Sequence, residues 1–133
     1  MTLNFKMSEL IYSDTAVRHN INNMPDINSL DCMLDLIYNV LQPLREKLGK
    51  PVIVTSGYRN SEVNRLVGGK RNSQHLNGQA ADIAVKGMTP NQLIDFIVKS
   101  SIEYDQCINE YDRWVHISFV KGKNRKQPPF KIS

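Results

Sequence analysis

Two histidines and one aspartate stand where their side chains could share a metal ion. His75 lies in Ser73-Gln74-His75-Leu76-Asn77-Gly78-Gln79-Ala80-Ala81-Asp82, an SxHxxGxAxD pattern, and His116 lies in Trp114-Val115-His116-Ile117-Ser118. Imidazole nitrogens and a carboxylate oxygen form a common donor set for Zn²⁺, at ~2.0–2.2 Å, and a catalytic site leaves the fourth position to water. Bound zinc brings the pKa of that water to ~7, and a nearby carboxylate must then take the proton and pass it to the leaving amine. The chemistry to expect is metal-assisted amide hydrolysis. Alone, a strand histidine or an aspartate at a strand start carries little weight; the ordered combination carries the reading. His19, the third histidine, sits in the polar run HNINNMPD and reads as a surface or structural residue.

The elements that would position these residues can be read from periodicity. Leu30, Met33, Leu34, Ile37, Leu41, Leu44 and Leu48 recur at helical spacing and line one face. Asn28 or Ser29 is placed to cap that helix and Gly49 to end it, while Pro43 should kink or locally break it. Val52–Thr55 reads as a short β-branched strand, Ser61–Val67 as a short helix, and Lys70–Gly78 as a loop. Ala80–Val85 reads as a strand. Thr89-Pro90 starts a second helix, with Leu93, Ile94, Ile97 and Val98 as its apolar face. Tyr104–Glu110 and Trp114–Val120 close the domain as a hairpin turning at Tyr111-Asp112-Arg113. Side chains alternate along a strand, so Trp114, His116 and Ser118 share one face while Val115, Ile117 and Phe119 share the apolar other. This order predicts a single α+β domain: a mainly antiparallel sheet, helices packed on one face, and the zinc cleft on the other.

SGYRN, SQHLNGQAADI and WVHISF together resemble the zinc D-alanyl-D-alanine peptidases, a family whose fold is shared with the hedgehog signalling domain. The similarity runs from about Ser13 to Phe119. The resemblance implies a zinc carboxypeptidase or endopeptidase of peptidoglycan, with His75, Asp82 and His116 as metal ligands. It implies that Arg59 contacts the substrate carboxylate or developing oxyanion, a role suited to a permanently charged, fork-shaped donor. It also implies that Ser73, with Gln74, holds substrate or the ligand loop. Trp114 shares the His116 face and would wall the cleft.

The general base departs from the family pattern. Many members carry Glu or Asp three residues before the last histidine ligand, and that position here is Arg113. Glu110 stands six residues before His116, the offset of an acid in hedgehog-type members, and Asp112 stands four before. A three-residue turn (Asp112, Arg113, Trp114) would set Glu110 opposite His116 on one face; a two-residue turn (Asp112, Arg113) would set it opposite Val115 on the wrong side. Glu110 is the preferred base, Asp112 the alternative, and turn length decides between them.

Composition bounds the rest. The chain has 133 residues, 41% of them hydrophobic and 23% charged, as in a soluble globular domain that folds without staples. It contains no eighteen-residue apolar run, and the start, MTLNFKMSEL, lacks the apolar core of a secretory signal. The expectation is cytoplasmic synthesis and action on the cell wall, as in a phage lysin or virion-associated enzyme, by a monomer. Cys32 and Cys107 lack metal-binding spacing and read as buried free thiols. Of 17 basic residues, five fall between Lys121 and Ser133 with no acid among them, and the preceding stretch holds 12 against 13 acids. This divides the chain into a catalytic domain, 1–120, and a basic C-terminal tail, 121–133, read as a solvated end. The competing readings are a non-catalytic zinc-containing module that binds cell-wall peptide or a protein, and a nucleic-acid binder acting through the tail, which is not expected. A serine hydrolase built on Ser73 lacks a nucleophile-elbow pattern.

Overall fold

The computed structural model describes residues 3–133. Helices α1 (Met7–Ile11) and α2 (Asp14–Arg18) lead into α3 (Ile27–Leu36), a π-helical turn (Ile37–Leu41) and α4 (Gln42–Leu48). Then follow β1 (Ile53–Ser56), α5 (Ser61–Leu66), a 3₁₀ turn (Gln74–Asn77), β2 (Ala80–Ala84) and α6 (Pro90–Lys99). The chain ends with β3 (Cys107–Glu110), β4 (Trp114–Ser118) and β5 (Phe130–Ile132). The five strands form one sheet in the order β1-β2-β4-β3-β5, antiparallel throughout except for the β3–β5 pair.

The expected long helix is interrupted where its proline requires it. Pro43 has no N–H to donate, and its ring would crowd the carbonyl four residues back, so the preceding turn widens to π geometry. The start is capped by Asp26 rather than Asn28 or Ser29: its side chain accepts from the Ser29 N–H. Gly49 ends α4 at φ 66°, as expected. Leu34 lies on the exposed side of α3, whereas Leu36 and Val40 join Met33, Ile37, Leu41 and Leu44 in the interior. Val98, placed on the apolar face of α6 by its sequence, is likewise exposed.

Paired residues fix the two faces of the sheet. Ala81 lies opposite Ile117, Ile83 opposite Val115 and Cys107 opposite Ile117, and these side chains pack into one core with the α3–α4 helix and with Leu93 and Ile97 of α6. At ~25 cal/mol per Å² of apolar surface, this single cluster is the main favourable term in folding. Asp82 lies opposite His116, and Ala80 opposite Ser118, on the second face. That face is covered rather than open, because the 3₁₀ turn folds onto β2 and leaves His116 and Ser118 buried.

Residues 121–133 are bound into the fold and do not trail from it. The N–H groups of Lys126 and Gln127 donate to the carbonyls of Tyr104 and Asp105, and β5 then pairs with β3 so that Ile132 lies opposite Glu110. Most of its side chains are exposed to solvent, while its backbone donors and the Arg125–Asp105 ion pair tie it to the domain. Both cysteines are free thiols. Cys107 is buried, and desolvation pushes its thiol up to about 12, whereas Cys32 is only partly buried, on the flank of α3. No helix among the described residues is long and apolar enough to cross a membrane.

Candidate metal centre

His75, Asp82 and His116 meet on the second face of the sheet, each buried, with one donor atom apiece lying within 4.8 Å of the others. The fold brings them from three places. Ser73 caps the 3₁₀ turn by accepting from the His75 N–H, at 3.2 Å, and so orients His75. Gly78 closes that turn at φ 72°; a Cβ there would also collide with the carbonyl oxygen of Ser29, so only glycine fits. Asp82 and His116 face each other across the β2–β4 ladder.

Asp82 Oδ1 lies 3.1 Å from His75 Nε2 and 3.2 Å from His116 Nδ1. Two atoms each ~2.0–2.1 Å from a tetrahedral metal lie roughly 3.3 Å apart, so this spacing suits zinc. The hydrogen bonding makes the same point. His75 Nδ1 sits 2.7 Å from the Gly57 carbonyl oxygen, which can only accept, so Nδ1 carries the proton. In the neutral ring Nε2 is then a bare lone pair aimed at a carboxylate oxygen. Two acceptors at that distance need a proton or a metal ion between them, and the donor set fits Zn²⁺. Burial alone would raise the Asp82 carboxyl, but hydrogen bonds from His116 and His75 outweigh it and hold the group well below the usual carboxylate range.

Arg59 follows β1 and is mostly buried. Its Nε donates to Ser56 Oγ (3.1 Å), Nη1 to Asn64 Oδ1 (3.1 Å) and Nη2 to Asp82 Oδ2 (3.4 Å). Burial lowers the pKa of the guanidinium, against the opposing pull of the Asp82 and Glu110 carboxylates. Its position behind Asp82 was not legible in the sequence: SGYRN places an arginine after a strand but cannot say that Asn64, one helical turn further on, grips it.

The hairpin resolves the position of both acids. The turn is Tyr111-Asp112-Arg113, and Glu110 pairs with Trp114 while Ile108 pairs with His116. Glu110 therefore does not lie opposite His116, as a turn of Asp112, Arg113 and Trp114 would have required; it lies two pairs further along, on the same face. The cause is local. Tyr111 and Asp112 both adopt the left-handed region, at φ 61° and 57°, and Asn109 Oδ1 accepts from the Asp112 N–H. The Asp112 carboxylate is drawn to the opposite side, where it accepts from Asn109 Nδ2 and pairs with Lys131 Nζ at 2.7 Å. Asn109 belongs to the helix-packed face and bonds to Asn91 of α6.

The other sequence-selected residues divide. Trp114, half buried, donates from Nε1 to Glu110 Oε1 at 2.8 Å. Gln74 donates from Nε2 to Asp105 Oδ2 at 2.8 Å, so its amide is engaged in the fold. Asp105, 1% exposed, also takes a forked pair of bonds from Arg125, whose guanidinium leads Arg125 N–H and Gln74 in holding its carboxyl down at about 2. His19 is exposed at the end of α2. Sequence reading overlooked Gly57, Asn64 and Asp105. The Gly57 role had a faint signal, a glycine directly after a β-branched strand, but the other two depend on contacts across the fold.

The profile of the family described as Peptidase M15 matches residues 3–118. A 44-residue stretch is 46% identical to the zinc D-Ala-D-Ala carboxypeptidase of Streptomyces albus G, covering 32% of this chain and 17% of that protein.

Proposed function

The chain belongs to the peptidase M15 family, and on that premise we propose that it is a zinc-dependent peptidase of peptidoglycan stem peptides or cross-links, acting at the cell wall as a D,D-carboxypeptidase or endopeptidase. The carrying observation is that a buried His-Asp-His cluster and a partly exposed carboxylate, Glu110, share one face of the sheet. Zinc held by His75, Asp82 and His116 would polarise the scissile carbonyl and acidify a water. Glu110 takes a proton from the attacking water and returns it to the leaving amine nitrogen. Arg59 holds Asp82 Oδ2 and adds positive potential where the carbonyl oxygen gains charge. Gly57 keeps His75 in the tautomer that presents Nε2. Ser73 and Gln74 shape the rim through the turn they start, with substrate contact as their further role.

The deciding experiment is mass spectrometry of soluble products from purified peptidoglycan, incubated with zinc-loaded and chelator-treated protein. Zinc-dependent fragments are expected, and their masses identify the bond. Absence of products from several peptidoglycan types, with zinc shown to be bound, would overturn the peptidase in favour of a binding module.

A further inference from the structure

We propose that Trp114 is a positioning residue for the general base: its indole N–H fixes one oxygen of Glu110 and leaves the other for the attacking water. This rests on the assignment of Glu110 made above. Glu110 and Trp114 are directly opposed in the β3–β4 ladder, and the indole Nε1 lies 2.8 Å from Oε1. Among the described residues no other side chain donates a hydrogen bond to that carboxylate. An indole N–H can only donate, so it always pairs with an acceptor oxygen and never competes for the proton that the base must carry. The ring is itself held. Tyr111 meets it edge-on, with centroids 5.8 Å apart and planes at 61°, and the left-handed φ of 61° at Tyr111 brings that side chain back over its neighbour. A glutamate has three side-chain torsions to order before it can act; a partner anchored on the facing strand removes much of that freedom beforehand.

Trp114→Phe keeps an aromatic ring and removes the donor. With a soluble stem peptide ending in D-Ala-D-Ala, it is expected to lower kcat by about tenfold or more, part of the ~10²–10⁴ that a positioned base supplies, with KM within about twofold and zinc stoichiometry unchanged. A raised KM at full kcat would overturn the proposal and make the ring a substrate wall; unchanged kinetics would also overturn it. Full turnover by Glu110→Gln would show instead that the base assignment had failed, taking this inference with it. A second readout needs no activity. Trp114 is the sole tryptophan, so the indole emission of zinc-loaded Glu110→Ala is expected to shift from that of the parent protein, and identical spectra would overturn the contact.

Discussion

His75 is held at both ring nitrogens, and the two contacts have different consequences. The Gly57 carbonyl fixes the proton on Nδ1, and Nε2 is thereby committed to Asp82 and whatever cation lies between them. Gly57 can do this because it lacks a Cβ, which would overlap the carbonyl oxygen of Leu10 where α1 crosses the strand end. Gly57→Ala should therefore displace the carbonyl and weaken zinc binding by roughly 10–100-fold, the usual cost of losing a ligand's outer partner, as measured by competition with a chromogenic chelator. The two acids make a paired prediction. Glu110→Gln should retain zinc and lose ~10²–10⁴ in kcat. Asp112→Asn should leave kcat within about twofold, because that carboxylate is bonded to Asn109 and Lys131 on the helix-packed side; a large loss in Asp112→Asn would transfer the base to it.

At the level of elements, the site depends on how segments begin and turn. The 3₁₀ turn carrying His75 is started by Ser73 and closed by Gly78, both legible as turn residues in SxHxxG. Helix α6 opens with a capping box, in which Thr89 Oγ1 accepts from the Gln92 N–H and Gln92 Oε1 from the Thr89 N–H. Through Asn91 it also meets Asn109 beneath the β3–β4 hairpin. Thr89→Ala should cost about 1 kcal/mol of unfolding free energy, seen as a lower urea midpoint at constant slope, with zinc affinity unchanged. A loss of zinc along with the cap would mean that α6 supports the metal centre directly. The hairpin illustrates what local sequence leaves open: Tyr-Asp-Arg is an ordinary turn, and only the paired left-handed residues and the Asn109 side chain select the register that keeps Glu110 beside Trp114.

Across the whole molecule, the C-terminal stretch links otherwise separate parts. Arg125 grips Asp105, which takes Gln74 next to His75, and β5 flanks the strand that bears Glu110. The Asp105 carboxyl is held at about 2, against 3.8 for the free side chain, chiefly by Arg125. A lowered carboxyl stabilises the fold at pH values above 3.8, and that contribution is lost as pH falls toward 2. Arg125→Gln should thus move the acid-unfolding midpoint to higher pH by circular dichroism at fixed ionic strength, while leaving stability at pH 9 less dependent on pH than at pH 3. An unmoved acid midpoint would show that Arg125 does not set this group.

The His-Asp-His cluster, the α+β class and most element positions were legible because each rests on short-range chemistry: SxHxxGxAxD and WVHIS carry the donors, alternation assigns their strand face, and Thr89-Pro90, Pro43 and Gly49 mark where helices start, lose regularity and stop. What the sequence left open rests on contacts between distant residues. Which acid shares a face with that cluster follows from a turn register set by backbone conformation and by Asn109; Arg59 sits behind Asp82 because Asn64 and Ser56 hold it there; and the basic end becomes a strand because β3 offers it an open edge. Spacing in a sequence reports periodicity within an element, whereas register and docking are decided by hydrogen bonds and burial that exist only once the elements have met.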